Sequence, residues 1–257
     1  LIIDEVVSID RENRRVKTKN GGEFEYEKLV IATGARPIKI KIPGIEFRNV
    51  IPIYKEYEPL LEAYRILKYA KKIVIIGAGF VGMEIADDLC EGREIHIVEI
   101  LDEALPLAFD KEFGRLARRE LENRGVRFHL GVSVREIVGD DAAKKVVLSN
   151  GEEIPVDAVV VSVGTAPNSE IAREAGLEVD EKGHIIVDAY MRTNDPHIYA
   201  VGDVAQKKWF FAGKPIKAYF SSLAVIEGRL AALHIFGGDT ACGFTDGVLP
   251  VYSTLIG

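Results

Sequence analysis

The sequence predicts an α/β fold built around a parallel β-sheet. Between residues 58 and 163, short apolar runs of strand length alternate with segments of helical period. Such alternation is typical of parallel sheets with right-handed crossovers. A glycine-rich turn, Gly77–Gly82, joins one of these strands to one of these helices. The 257 residues, 47% of them hydrophobic and 28% charged, are enough for one large globular domain or two ordinary ones.

The first 55 residues are predicted to form strands and loops. Strands are expected at Val6–Ile9, Arg14–Lys19, Glu23–Tyr26 and Leu29–Ala32. Asn20-Gly21, between the second and third strand, indicates a hairpin turn in which both central residues have positive φ. Thr33–Pro37 is expected to be a loop, and residues 41–55, with two prolines and a glycine, a linker.

The middle of the chain contains the predicted parallel sheet. Helices are expected at Glu58–Ala70, Phe80–Cys90 and Asp110–Arg124. Strands are expected at Lys72–Ile76, Glu94–Glu99, Arg127–Leu130, Val134–Val138, Lys145–Leu148 and Asp157–Val163. Further on, Ile185–Val187 and Ile198–Val201 are apolar stretches, and Phe220–Ile235 is a predicted helix.

Charge and cysteine usage exclude several classes of partner. The net charge of −7 argues against nucleic acid, because phosphate binding needs clustered Lys and Arg, and it also disfavours an anionic membrane surface. No apolar run approaches the ~20 residues of a membrane-spanning helix. The two cysteines, Cys90 and Cys242, form neither a CxxC nor a metal-ligand cluster, so we expect no metal site. This usage suits a reducing compartment, the cytoplasm.

Gly77-Ala78-Gly79-Phe80-Val81-Gly82 has the GxGxxG pattern of a dinucleotide-binding turn. It follows the predicted strand Lys72–Ile76 and begins a helix, which is the context that the pattern requires. Gly77 would permit the tight turn, Gly79 the approach of the backbone to a pyrophosphate, and Gly82 close packing of helix on strand. The helix N-terminus would supply free N–H groups to the diphosphate.

Glu99 indicates which dinucleotide binds. It ends the next predicted strand, 22 positions after Gly77. A carboxylate there accepts hydrogen bonds from both ribose hydroxyls of an adenosine and repels a 2′-phosphate. No arginine occurs in residues 100–102 to bind such a phosphate, so NAD(H) is favoured over NADP(H). The alternative is a glycine-rich strand–helix turn with an acidic residue placed by chance.

The chain resembles the pyridine nucleotide-disulfide oxidoreductase superfamily, nearest to NADH oxidases, coenzyme A-disulfide reductases and ferredoxin or rubredoxin reductases. The segments that carry the resemblance are Leu29–Pro37, Lys72–Glu99, Val159–Asn168 and Thr193–Asp203. Their order along the chain also matches. The resemblance implies a Rossmann-like NAD-binding domain inserted in an FAD-binding domain, with NAD(H) and FAD as cofactors.

The resemblance assigns residues to FAD as well as to NAD. Ala32, Thr33 and Gly34 would lie at FAD. Asp203 would hydrogen-bond the ribityl chain, and Gly202 would give the backbone room to approach the cofactor. For this last pair the alternative is an ordinary Gly-Asp turn after a strand.

The residues assigned to NAD are Gly77, Gly79, Phe80, Val81, Gly82, Glu84, Glu99 and Gly164. Phe80 occupies the position of the family's aromatic gate over the flavin, although packing in the core is the alternative. Glu84 matches a carboxylate near the nicotinamide, or else it complements the helix dipole from the first turn. Gly164 would let the backbone pass close to NADH, or it is a plain turn glycine.

Two of the family's features are missing from this sequence. The first FAD motif, a second GxGxxG near the N-terminus, is absent, and so is the redox cysteine that follows it. Cys90, late in a predicted helix, is expected to be a buried structural residue. We therefore expect a piece truncated at both ends, whose FAD domain is incomplete. Because its sheet would lack the first strand, we expect Leu29–Ala32 and Ile198–Val201 to be exposed.

The expected domains are residues 1–54 and 168–238 for FAD, 55–167 for NAD(H), and 239–257 for the start of a dimerisation domain. The function expected is the NADH-binding portion of a flavoenzyme that passes hydride from NADH to flavin and on to oxygen, a disulfide or a redox protein. The complete enzyme would be a homodimer, and this piece alone would be inactive. The alternatives are an NADH-sensing or interaction module without flavin chemistry, and a remnant whose nucleotide site is unused.

Overall fold

A computed structural model describes residues 1–216 and 218–237 of the chain. The strands are β1 Val6–Asp10, β2 Arg15–Thr18, β3 Glu23–Glu25, β4 Leu29–Ile31, β5 Ala35–Pro37, β6 Val50–Pro52, β7 Lys72–Ile76, β8 Glu94–Glu99, β9 Arg127–Leu130, β10 Val134–Gly139, β11 Ala143–Leu148, β12 Glu153–Pro155, β13 Ala158–Val161, β14 Thr165–Pro167, β15 Ile198–Ala200, β16 Lys207–Lys208 and β17 Pro215–Ile216. The α-helices are α1 Tyr57–Tyr69, α2 Phe80–Leu89, α3 Lys111–Asn123, α4 Glu170–Glu174 and α5 Ser221–Gly237, and Gly202–Val204 forms a 3-10 turn. The predicted dimerisation segment, 239–257, lies outside the described residues.

The described residues form two compact units. The outer unit comprises residues 1–36 and 166–237, and the inserted unit comprises residues 37–165. The inserted unit begins earlier than residue 55, where the sequence predicts a domain boundary. The reason is that β6 joins its sheet, in parallel with β13.

The inserted unit contains a five-stranded sheet in the order β6-β13-β7-β8-β9. Every neighbouring pair in it is parallel. The central strands are almost wholly apolar because both faces of the sheet are covered. One face packs against α1, α2 and α3, which contribute Ala63, Met83 and Leu121 to the core. The opposite face packs against the antiparallel sheet β10-β11-β12. This arrangement confirms the predicted α/β class with a parallel sheet.

The outer unit is built from smaller sheets. Strands β1, β2 and β3 form an antiparallel sheet. Strands β4 and β15 form a parallel pair, in which Val30 lies opposite Tyr199. The core of this unit gathers residues of β4, α4, β15 and α5. Because β4 and β15 run in the same direction, the loops that follow them leave from the same edge.

Three local predictions are wrong. In the turn before β3 only Gly21 has positive φ, at +89°, and Asn20 does not. Residues 19–22 therefore form a longer connection with a single left-handed residue, which is a common alternative to the two-residue turn. The predicted loop Thr33–Pro37 contains β5, and the predicted linker contains β6. Both strands end in proline, which is tolerated where its missing N–H is not needed.

The predicted exposure of the incomplete sheet is only partly correct. Val30 of β4 is 42% exposed, but all residues of Ile198–Val201 are buried. The reason is that β15 packs in one cluster with Leu230 and Ala231 of α5. Over residues 1–216 and 218–237, no helix combines the length and the apolar character needed to cross a membrane.

Candidate functional site

The glycine-rich turn lies at the carboxyl edge of the parallel sheet, between β7 and α2. Gly77 has φ +105°, and its N–H donates to the carbonyl oxygen of Val98, 2.8 Å away on β8. A Cβ on Gly77 would lie 2.7 Å from the carbonyl oxygen of Ser162. The hydroxyl of Ser162 lies 3.0 Å from the carbonyl oxygens of both Ile76 and Gly77. Both the backbone angle and the crowding therefore require glycine at position 77.

The other two glycines of the motif differ sharply in the space around them. A Cβ on Gly82 would collide with the carbonyl oxygen of Gly77 and lie 2.7 Å from the Ser162 hydroxyl, so this glycine lets helix and strand meet. A Cβ on Gly79 would meet no atom within 4 Å. Gly79 is the N-cap of α2, and no side chain caps this helix. The helix N-terminus therefore presents unshielded backbone, as an anion site needs.

The Glu99 carboxylate is held by the turn itself. Its Oε2 accepts from the Ala78 N–H at 2.9 Å, and its Oε1 accepts from the Leu101 N–H at 3.0 Å. The side chain is half-buried at the end of β8. A carboxylate offers about four lone-pair sites, so two acceptor positions remain for hydroxyl donors. The residue that sequence spacing singles out is thus oriented beside the glycine turn.

A strained residue supports the same turn from the loop after β8. Leu105 has φ +52° although it is not a glycine, and it is buried. Its N–H donates to the carbonyl oxygen of Ala78 at 2.8 Å. A left-handed conformation costs a leucine of order 1 kcal/mol or more, and such strain concentrates at binding sites. Ala78 is therefore tied at its amide to Glu99 and at its carbonyl to Leu105.

The remaining residues predicted for NAD lie in α2 or in the loop after β13, which leaves the same carboxyl edge of the sheet as the glycine turn. Phe80 is half-buried and packs edge-on against Phe109, with ring centroids 5.8 Å apart. Val81 is exposed, as is Glu84. The first turn of α2 contains no acidic residue, which removes the first-turn explanation for Glu84. Gly164 has φ +102° and is exposed, as a left-handed turn glycine just beyond β13.

The segment predicted to bind FAD after β4 is held by one asparagine. The Thr33 hydroxyl donates to the carbonyl oxygen of Asn168 at 2.6 Å, and the Asn168 amide group donates to the Thr33 carbonyl oxygen at 2.9 Å. The N–H of Asn168 donates to Gly34, which has φ +66° and open space around it. Ala32 is exposed. This loop is thus fixed and accessible.

The second predicted FAD segment leaves the neighbouring strand at the same edge. The N–H of Val201 donates to the carbonyl oxygen of Ile31 at 3.0 Å, so the two segments start side by side. Gly202 has φ +74°, and Asp203 follows it in the 3-10 turn, half-buried. A Cβ on Gly202 would be 3.7 Å from Ala224 in the first turn of α5. The outer unit therefore brings together Ala32–Gly34 and Gly202–Asp203.

Two buried charges lie behind Gly202. The Glu227 carboxylate accepts from the Gly202 N–H at 2.8 Å, and the Lys207 ammonium donates to the Gly202 carbonyl oxygen at 2.6 Å. The two side chains form an ion pair at 2.9 Å. Burial raises the pKa of Glu227, an effect that the charge of Lys207 opposes. Sequence reasoning missed both residues, because a Lys after a Gly-Asp turn and a Glu in a long helix look like surface charges.

Sequence reasoning also missed Ser162 and Leu105, and of the two only Ser162 has a sequence feature that indicates its role. It is a single polar residue in an apolar strand sequence, which indicates a hydrogen bond inside the fold. Leu105 looks like any loop leucine. Cys90 is buried, as predicted, and its thiol contacts the carbonyl oxygen of Asp87. Within the described part of the chain, no three His, Cys, Asp or Glu side chains gather as metal ligands would.

Comparisons with known proteins agree with this geometry. The NADH oxidase of Methanocaldococcus jannaschii is 34% identical over 242 residues, which cover 90% of this chain and 53% of that protein. Rubredoxin-NAD(+) reductase of Pseudomonas putida is 32% identical, over 92% of this chain and 61% of its own. The chain therefore spans between half and two thirds of these relatives.

A solved structure, that of an NAD-dependent persulfide reductase from A. fulgidus, matches with a TM-score of 0.89 and 38% identity, over 95% of this chain and 45% of that one. The family model described as pyridine nucleotide-disulphide oxidoreductase matches residues 1–219. NAD(H) and FAD are the cofactors that this family and its NADH oxidases imply. The chain belongs to the pyridine nucleotide-disulphide oxidoreductase family.

Proposed function

We propose that this chain is the NADH-binding portion of an FAD-dependent NAD(P)H oxidoreductase. The observation that carries the proposal is the turn between β7 and α2, where an uncapped helix N-terminus, open space at Gly79 and an oriented Glu99 carboxylate coincide. A pyrophosphate needs the first two features, and the hydroxyls of an adenosine ribose need the third. These features lie within one unit and support the proposal that NADH binds there.

Each predicted NAD residue has a role in this proposal. Gly77, Gly79 and Gly82 shape the turn, and the backbone from Phe80 to Gly82 gives its N–H groups to the diphosphate. Glu99 accepts hydrogen bonds from the ribose hydroxyls, and Val81 lies in the first turn of α2. Phe80, Glu84 and Gly164 act at the nicotinamide end, where Phe80 is the gate that yields to the ring.

FAD is held by the outer unit, at the shared edge of β4 and β15. The fit rests on Gly202, whose φ of +74° and lack of a side chain leave room for close approach, and on Asp203 beside it. Ala32, Thr33 and Gly34 form the adjoining wall. The Asp203 carboxylate would accept hydrogen bonds from the ribityl hydroxyls of FAD. These residues fit the middle of the cofactor, and the pyrophosphate of FAD needs the further glycine motif that this sequence lacks.

The side chains of this chain bind and orient rather than exchange protons in the first half-reaction. When both cofactors are bound, hydride passes from NADH to the flavin and on to oxygen, a disulfide or a redox protein, and this chemistry belongs to the cofactors. The rubredoxin and persulfide reductases among the relatives are consistent with the last two acceptors. We further propose that the complete protein is a cytoplasmic homodimer.

The test is flavin reduction in the longer protein that contains this chain. We expect it to be yellow when purified, and NADH added without oxygen to bleach the visible flavin absorbance. The matched control is Gly79→Val, which should keep the flavin and still be bleached by dithionite, but not by NADH. A colourless protein that binds NADH would favour the sensing module instead. A yellow Gly79→Val variant that NADH still bleaches would refute the assigned site.

A further inference from the structure

The outer unit holds a fully buried ion pair that touches the Gly202 turn at several points. Lys207 is 3% exposed and Glu227 is 2% exposed. The Lys207 ammonium donates to the carbonyl oxygens of Gly202 and Ala205, at 2.6 and 3.1 Å. The Glu227 carboxylate accepts from that ammonium at 2.9 Å and from the Gly202 N–H at 2.8 Å. The pair thus joins the turn to the middle of α5.

The hydrogen-bonding capacity of the ammonium is completely used. It has three N–H donors, and three groups accept them: two backbone carbonyls and one carboxylate. Burial of two charges is costly, and apolar residues of similar size often stabilise a fold as well or better. A pair of this kind is therefore explained more readily by the geometry that it enforces than by stability.

That geometry is the conformation of a single peptide segment. Gly202 is held at its amide by Glu227 and at its carbonyl by Lys207, while its φ stays at +74°. The Ala205 N–H donates to the same Gly202 carbonyl oxygen at 3.1 Å, which closes the turn. Asp203 lies inside this clamped loop, so its position relative to β15 and α5 depends on the pair.

We propose that Lys207 and Glu227 are positioning residues that fix the Gly202–Asp203 turn in the conformation that receives FAD. The inference rests on the proposed function, since it assumes that this turn contacts the cofactor. Neither residue needs to touch FAD, because both act through the backbone of Gly202. They differ in this from Asp203, which we assign to direct contact.

The decisive variant removes both charges together. Lys207→Met combined with Glu227→Leu keeps side chains of similar size and leaves no buried charge alone, so the protein should still fold. Its melting temperature should fall moderately, because the Gly202 N–H loses its partner. The amides of residues 202–205 should exchange with solvent about tenfold faster or more in the 257-residue chain. In the longer protein FAD should bind about tenfold more weakly or worse, the factor that loss of one charge-assisted hydrogen bond represents.

Two further variants distinguish a loss of positioning at the Gly202–Asp203 turn from a general loss of stability. Arg118→Met with Glu103→Leu removes another ion pair with a buried carboxylate, in the inserted unit, and should change neither FAD affinity nor exchange at residues 202–205. Glu227→Gln, with Lys207 unchanged, keeps an acceptor for the Gly202 N–H. Its FAD affinity should lie between that of the unmodified protein and that of the Lys207/Glu227 double variant. If the Lys207/Glu227 variant shows unchanged amide exchange at residues 202–205 and unchanged FAD affinity, this inference is overturned while the proposed function still stands. Absence of FAD from the unmodified longer protein would overturn the proposed function, and this inference with it.

Discussion

Glu99 shows how far residue-level reasoning from sequence extends. Its spacing from Gly77 predicts a carboxylate at the end of β8, and the structure places it there. The sequence could not show that this carboxylate also accepts from the Ala78 and Leu101 amides, because those contacts depend on the path of the loop. Nor could it find Leu105, whose left-handed backbone is set by its burial against the turn rather than by its own preference.

Loss of the Glu99 charge should narrow the preference for NADH. We expect the native chain to bind NADH more tightly than NADPH, since the carboxylate repels a 2′-phosphate. Glu99→Gln keeps one acceptor oxygen for the backbone amides but loses the charge, so the ratio of the two affinities should fall by about tenfold. Calorimetric titration with both nucleotides measures it. Glu153→Gln, at an exposed position on β12, is the control. Equal or tighter binding of NADPH by the native chain would contradict the assignment.

The glycines at positions 79 and 82 should respond to substitution in opposite ways. Gly82→Ala forces a methyl group onto the Gly77 carbonyl oxygen and the Ser162 hydroxyl, so the free energy of unfolding should fall by about 1–3 kcal/mol or more. Gly79→Val places its side chain in open space at an ordinary φ of −77°, and stability should change by less than about 1 kcal/mol. Urea unfolding of both variants tests this. An equally large loss at position 79 would show that the space there is not free.

At the scale of elements, the predicted and observed boundaries agree best where the sequence pattern is strongest. Strands β7, β8 and β9 begin and end where the sequence predicts, and α2 does so within one residue. Their apolar runs and glycine turns admit few alternatives. The short strands β5 and β6 were missed because three residues that end in proline look the same as a loop, and only the pairing of β6 with β13 makes it a strand. The cover that α5 provides for β15 is likewise a tertiary effect.

His96 on β8 should make the stability of the inserted unit depend on pH. Burial lowers the pKa of His96 below its usual 6.5, an effect opposed by its hydrogen bond to Glu94 and reinforced by His129 and Arg127. Its Nδ1 lies 2.8 Å from Nε2 of His129 on β9. The unfolded chain therefore binds the proton more readily. The contribution of neutral His96 to the free energy of unfolding is fully present above about pH 6.5. It is lost as the pH falls from there towards the pKa of His96 in the folded chain.

The measurement is the free energy of unfolding between pH 7.5 and 5.5, for the native chain and for His96→Gln. The native chain should lose stability over this interval, and the variant should lose less. The loss in the free energy of unfolding due to His96 should be about 1 kcal/mol for each pH unit by which its pKa is lowered in the folded chain. An identical pH dependence in both proteins would show that His96 does not contribute to it.

At the scale of the whole molecule, the two units differ in completeness for their cofactors. The inserted unit contains every element of its proposed site, from the glycine turn to Glu99. The outer unit contains the two adjoining loops that we propose for the middle of FAD, and its sequence has no second GxGxxG motif for a pyrophosphate. The sequence predicts this difference because the presence or absence of such a motif is a local feature of the chain. It could not predict the Lys207–Glu227 pair, which joins residues 20 positions apart through the packing of α5.

The chain by itself is therefore expected to bind no FAD and to oxidise no NADH above background. Without the second glycine turn the cofactor loses its main anion-binding element. The check is the visible absorbance of the purified 257-residue chain after incubation with FAD and desalting, together with its NADH oxidation rate. Stoichiometric flavin that NADH bleaches would contradict this expectation. It would mean that the missing element is not needed or is supplied by another chain.

The central claim is that NADH binds at the turn between β7 and α2, and calorimetric titration of the chain with NADH tests it most directly. We predict one site per chain in the native protein, and no measurable binding by a folded Gly79→Val variant, because the added side chain fills the space that a pyrophosphate needs. Native-like NADH binding by that folded variant, or no binding by the native chain, would contradict the account.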